Sequence, residues 1–79
     1  MELSRTEAAQ AIEDFLADRG GAHDWDDFIS IPIRDRELNA IRLVCAMLPE
    51  IYPPEAANQY CGSGGIRFLE SVKHFLLRA

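Results

Sequence analysis

The chain has 79 residues, with 13 acidic and 8 basic side chains that give a net charge of −5. A chain this short makes one domain with a limited interior, which argues against an enzyme with a deep pocket of its own. The charge is also uneven, because residues 1–37 carry −6 and residues 38–79 carry +1. Phosphate binding depends on clustered Lys and Arg, so the acidic half argues against nucleic acid and anionic membranes as partners.

Apolar patterning and cysteine spacing argue against further classes. Residues 1–5 contain no apolar run, so no signal peptide is predicted, and no stretch approaches the roughly 18 apolar residues of a membrane span. Cys45 and Cys61 stand singly, which predicts neither a disulfide framework nor a zinc site. We therefore expect a cytoplasmic protein that keeps its cysteines reduced and uses no metal or cofactor.

The first predicted helix begins after Ser4, where Ser4-Arg5-Thr6-Glu7 forms a capping box. Glycines at positions 20 and 21 are predicted to end it. One face is apolar and carries Ala8, Ala11, Ile12, Phe15 and Leu16. On the opposite face Glu7, Asp14 and Asp18 form an acidic ridge, and no Lys or Arg lies three or four residues away to pair with them. This ridge is a candidate surface for a basic partner, and a plain solvated face is the alternative.

Residues 24–29 predict a single helical turn rich in acid. Asp24 caps it, and Asp26 and Asp27 follow in the first positions, where the helix dipole favours acids. Closely spaced carboxylates are also what calcium requires, but a calcium loop would continue with Asp or Asn where Phe28 stands. We therefore predict no metal site and add Asp24, Asp26 and Asp27 to the candidate surface for a basic partner.

Residues 35–48 predict the central helix, which Asp35 caps and Pro49 ends. Its apolar side chains cover more than half of the helical circle and leave only Asn39, Arg42 and Ala46 as a polar strip. A helix this apolar needs neighbours on both sides. The sequence therefore predicts one all-α domain over residues 1–79, a small bundle of three or four helices around a buried central helix.

Two covering helices leave part of that wide apolar arc open. Leu43 and Met47 lie at the edge of the arc, so we expect them to contribute to a symmetric homodimer interface. A proline-rich connector then leads to the glycine-rich residues 61–65, and the last predicted helix begins at Ile66.

The glycine-rich segment is the second candidate site. Ser63, Gly64, Gly65 and Arg67 supply flexible amides, a positive helix end and a guanidinium, which together favour anion binding. The Gly-Lys-Ser/Thr ending of a P-loop is missing. A simple capping role for Ser63 is therefore the alternative.

A cysteine at the same helix entrance suggests nucleophilic chemistry. A helix N-terminus would lower the thiol pKa of Cys61, and His74 or His23 would serve as its base. Nothing in the sequence brings either histidine close to the thiol, so no catalytic residue is assigned and an enzyme is disfavoured.

Three functions remain open. The first is an acidic protein-binding module of the adaptor, inhibitor or immunity type that presents its carboxylates to a basic surface. The second is a small-anion or enzymatic role at residues 61–67. The third is a purely structural oligomer subunit with no site.

Overall fold

The computed structural model describes residues 1–19 and 24–78, and these residues contain four helices. Their bounds are α1 Arg5–Leu16, α2 Asp24–Ser30, α3 Arg36–Ile51 and α4 Ser63–Leu77. These residues include no strand, and the helices pack into a globule with a radius of gyration of 11.8 Å. The predicted all-α fold and small helical bundle are confirmed.

The central pair of the bundle is α1 and α4, which share the most extensive helix contact among the described elements. Ala8, Ala9 and Ile12 of α1 are buried in the core with Leu69 and Leu76 of α4. Polar contacts at the edge tie the same two helices together, since Lys73 Nζ donates to Glu13 Oε1 at 2.7 Å. The apolar face predicted for the first helix therefore packs on the last helix.

The third helix lies at the side of this pair and buries one face only. Cys45 and Leu48 on that face have no exposed surface, whereas Leu43 and Met47 are 48% and 50% exposed. The predicted burial of this helix on both sides is wrong. The buried face includes Arg42, which the sequence placed on the solvent strip and which is only 8% exposed.

Hydrogen bonds of Arg42 explain why α3 turns the face that carries this residue toward the core. Its Nε donates to Asn39 Oδ1 at 2.9 Å, and its Nη1 donates to the Ile29 carbonyl oxygen at 2.8 Å. Ile29 lies in the last turn of α2, where helical carbonyls lack an intrahelical donor. Arg42 therefore caps α2 from α3 and holds the two helices together.

The end of α3 also differs from the prediction, because the helix continues through Pro49 to Ile51. Proline has no N–H, so the carbonyl of Cys45, four residues earlier, loses its helical donor. The Tyr60 hydroxyl donates to that buried carbonyl instead, at 2.8 Å. This replacement bond explains how α3 continues through Pro49, where the sequence predicted that it would end.

The end of α1 is formed without the predicted glycines. Asp18 adopts the left-handed conformation, with φ of 56°. The Arg19 N–H then donates to the Asp14 carbonyl oxygen at 2.8 Å, which is the bond that closes a Schellman motif. Gly20 and Gly21 lie outside the described residues.

Candidate functional site

A groove of about 640 Å³ lies between α1 and α2. It gathers all six acids for which the sequence predicts a basic partner. These are Glu7, Asp14, Asp18, Asp24, Asp26 and Asp27. The acids of the α1 side thus face those of α2 across one concave surface, an arrangement that sequence spacing alone did not show.

Aromatic rings form the floor of this acidic groove. Phe15 and Trp25 are stacked with ring centroids 4.2 Å apart, and Phe28 stacks on Trp25 at 5.4 Å. Tyr60 meets Phe15 and Trp25 edge-on at 5.5 and 5.8 Å. The floor is therefore formed by Phe15, Trp25 and Phe28, with Leu3 extending the apolar lining and Tyr60 packed against two of the rings.

Phe15 is a site residue that the sequence analysis missed. The helical pattern placed it with the core face of α1, but it is only partly buried and lines the groove. The sequence carried no signal for this, since the same helical spacing put Phe15 with Ala11 and Ile12 on the apolar face.

Hydrogen bonds and ion pairs already engage part of the acidic ridge. Glu7 completes the capping box, because the Ser4 N–H donates to its Oε1 at 2.9 Å, and this bond lowers the pKa of Glu7. Asp14 accepts from Gln10 Nε2 at 2.8 Å and lies 3.6 Å from Arg19 Nη2. The prediction that Asp14 is unpaired is therefore wrong, since Arg19, five residues away, reaches back to it.

The remaining carboxylates keep the groove negative. Asp18, Asp26 and Asp27 are exposed, and none of them forms an ion pair with another described residue. No Lys or Arg lines the groove among the described residues. Like charges on both sides of a concave surface reinforce each other and attract cations.

The glycine-rich candidate site is already satisfied within the chain. Helix α4 begins at Ser63 with Gly62 as its N-cap, so the expected capping role of Ser63 is wrong. Glu55 Oε1 accepts from the Ser63 N–H at 3.0 Å and occupies the place that an external anion would take. Arg67 is exposed in the first turns of α4, with no ion pair to any described residue.

Close packing covers the two glycines of the same segment. A Cβ atom at Gly64 would lie 2.5 Å from the Tyr52 ring, and one at Gly65 would lie 2.5 Å from Cys61 Sγ. The Gly65 N–H donates to the Gly62 carbonyl oxygen at 3.0 Å. Glycine is therefore required here by close packing, and the arrangement gives no support to an anion site.

The thiols are structural. Cys61 is 1% exposed, and burial raises its pKa, so the predicted lowering by the helix entrance is wrong. Burial likewise raises the pKa of Cys45 to about 12. His74 is exposed on α4, and His23, the other suggested base, lies outside the described residues.

Residues 1–19 and 24–78 show neither a grouping of metal ligands nor a helix suited to a membrane. Within these ranges no three His, Cys, Asp or Glu side chains are grouped so that they could hold a metal ion. None of the helices in these ranges has the length and apolar character needed to cross a membrane.

Leu43 and Met47, the residues predicted to form a dimer interface, lie together on the outer face of α3. Val44 and Ile51 extend the same exposed apolar face and are 36% and 49% exposed. The face is a second candidate interaction surface, separate from the groove.

Comparison with protein-family models, with curated proteins and with solved structures gives no significant match for this chain. The function is therefore argued from the groove and its chemistry.

Proposed function

We propose that the protein is a small acidic binding module that holds a basic partner protein in the groove between α1 and α2. The observation that carries the proposal is the convergence of six carboxylates around an aromatic floor, five from α1 and α2 and one, Asp18, from just beyond α1. An adaptor, an inhibitor and an immunity-type protein are the forms of such a module that the site suits.

The two parts of the groove would contribute differently to binding. Exposed carboxylates steer an oppositely charged partner and raise the association rate more than the affinity. Aromatic side chains supply apolar contact area, and such residues are common among those that dominate binding energy. Phe15 and Trp25 would therefore anchor the partner while the acids select a basic one.

Location in the cytoplasm is part of the same proposal. Both cysteines are free and buried, and a reducing compartment would keep them as thiols.

Capture from an extract of the native host at low salt tests the function. The bait proteins are the wild type, the groove variant Asp14→Lys/Asp18→Lys, and the control variant Glu37→Lys/Glu50→Lys, which makes the same charge change outside the groove. We expect a basic protein that binds the wild type and the control but not the groove variant. Salt should release it, because exposed charges are screened over about 10 Å at 0.1 M ionic strength.

The captured protein is then purified and its affinity for each bait measured. Equal affinity for the wild type and the groove variant, or affinity that does not change with salt, would refute the proposal.

We also propose that the chain forms a homodimer through the outer face of α3. Leu43, Met47 and Ile51 are spaced one helical turn apart and form one exposed apolar stripe. Exposed apolar patches commonly mark interfaces, and a twofold dimer would bury this stripe against its own copy. Sedimentation should show a dimer that Leu43→Gln/Met47→Gln dissociates, and a wild-type monomer at high micromolar concentration would refute it. A dimer without any groove partner would instead favour a purely structural subunit.

A further inference from the structure

We propose that the groove binds one amphipathic basic helix of the partner, lying along α1 with its apolar stripe on the rings of Phe15 and Trp25. This inference rests on the proposed function and specifies the kind of segment that the groove accepts.

The direction of the groove is the first argument for a helix. Its lining residues from the α1 side are Glu7, Gln10, Ala11, Asp14, Phe15 and Asp18. They recur at spacings of three and four, so one face of α1 forms the wall of the groove along its length. The helical part of this wall runs from Glu7 to Phe15, and its eight rises of 1.5 Å make it about 12 Å long, or just over two helical turns. Asp18 extends the wall just beyond the end of the helix. A helix of the partner can pack along such a face as a third neighbour of α1 and α2.

The arrangement of charge over the apolar floor is the second argument. Asp14 of α1 and Asp18, just beyond the end of α1, lie on one bank, and Asp26 and Asp27 of α2 lie on the opposite bank. A partner helix with an apolar stripe would place that stripe on the rings and its flanking Lys or Arg side chains against both banks. Long cationic side chains suit this position, because their methylene stems contact apolar surface while their charged ends reach outward.

The identity of the partner follows from charge. No Lys or Arg is found among the described residues that line the groove, and the chain itself carries a net charge of −5. A second copy of the chain would therefore be repelled from this surface. Charge complementarity instead points to a helix of a different, basic protein.

Synthetic peptides of about 15 residues test the inference directly. The first peptide has a Leu stripe at helical spacing flanked on both sides by Arg, and contains no Trp. A second peptide has the same composition in an order that breaks the stripe, and a third replaces each Arg by Glu. Trp25 is the only tryptophan of the chain and lies in the groove, so its fluorescence reports binding. Circular dichroism measures whether the peptide becomes helical when bound.

We expect the amphipathic basic peptide to bind at least tenfold more tightly than the reordered one and to gain helicity on binding. The acidic peptide should not bind. Neutralising the α2 bank with Asp26→Asn/Asp27→Asn should weaken binding at least fivefold, while Glu37→Gln/Glu50→Gln, with the same charge change elsewhere, should leave it within twofold.

Three results would overturn the inference. Equal binding of the reordered peptide would show that charge alone acts, and binding without gained helicity would show an extended occupant. An unchanged affinity in Asp26→Asn/Asp27→Asn would place the peptide outside the groove. The proposed function is judged separately, because capture of the native partner by the wild type but not by Asp14→Lys/Asp18→Lys does not depend on the partner segment being helical.

Discussion

The hydrogen bond from Tyr60 to the Cys45 carbonyl should stabilise the fold because Pro49 cannot supply the normal helical donor. Tyr60→Phe removes the hydroxyl that donates this bond. The carbonyl of Cys45, a residue with no exposed surface, then lacks that donor. A buried acceptor without its partner costs about 1–3 kcal/mol. We expect Tyr60→Phe to lower the free energy of unfolding by about 1.5 kcal/mol, or the melting temperature by about 6–12 °C for a chain of this size.

A double-mutant cycle isolates this bond. In Pro49→Ala the new N–H can donate to the Cys45 carbonyl, so Tyr60→Phe should cost only about 0.5 kcal/mol there, a coupling of about 1 kcal/mol. Tyr52→Phe is the control, since no hydrogen bond of the Tyr52 hydroxyl to another described residue is found. Urea unfolding followed by circular dichroism measures each variant. An equal cost of Tyr60→Phe in both backgrounds would refute the reasoning.

Three further predictions concern other buried or paired groups. Arg42→Met should lower the free energy of unfolding by about 2–3 kcal/mol, because two hydrogen bonds from a charged donor are lost. The control Arg36→Met, at an exposed position, should change it by less than about 0.5 kcal/mol. Equal effects of the two substitutions in urea titrations would contradict this. The hydrogen bond from Lys73 holds the pKa of Glu13 below its usual 4.5, so the stabilisation is present above pH 4.5 and lost as the pH falls through the folded pKa. Unfolding of Glu13→Gln should therefore depend less on pH below 4.5, and an unchanged profile would argue against the pair. Burial raises the pKa of Cys45 to about 12, so iodoacetamide at pH 8 should label it only in urea, and rapid labelling of the folded protein would contradict its burial.

Features set by neighbouring residues were predictable from the sequence. The capping box at Ser4 forms both of its predicted hydrogen bonds, and Asp35 caps α3 by accepting from the Leu38 N–H. These contacts join residues three apart, so the local pattern contains all the information they need.

Features set by distant residues were not predictable in this way. The face that α3 buries depends on Arg42 reaching a carbonyl of another helix, 13 residues away. Its passage through Pro49 depends on Tyr60, and the start of α4 depends on Glu55, 8 residues before the N–H that it accepts from. Helical periodicity shows which residues are apolar, but packing decides which of them are covered.

The candidate site lies between these two cases. The six acids could be chosen from the sequence because they form local clusters, such as Asp26 and Asp27 in α2. Their meeting across one groove depends on how α1 packs against α2. The stacking of Phe15 on Trp25 across that contact could not be derived from spacing along the chain.

The most direct test of the central claim is a chemical-shift map of the ¹⁵N-labelled protein titrated with the amphipathic basic peptide at low salt. The account predicts that the perturbed amides cluster in residues 7–18 and 24–28, together with the indole N–H of Trp25, and that added salt reverses the shifts. Perturbations confined to the outer face of α3 or to the start of α4 would contradict the claim that the acidic groove is the binding site.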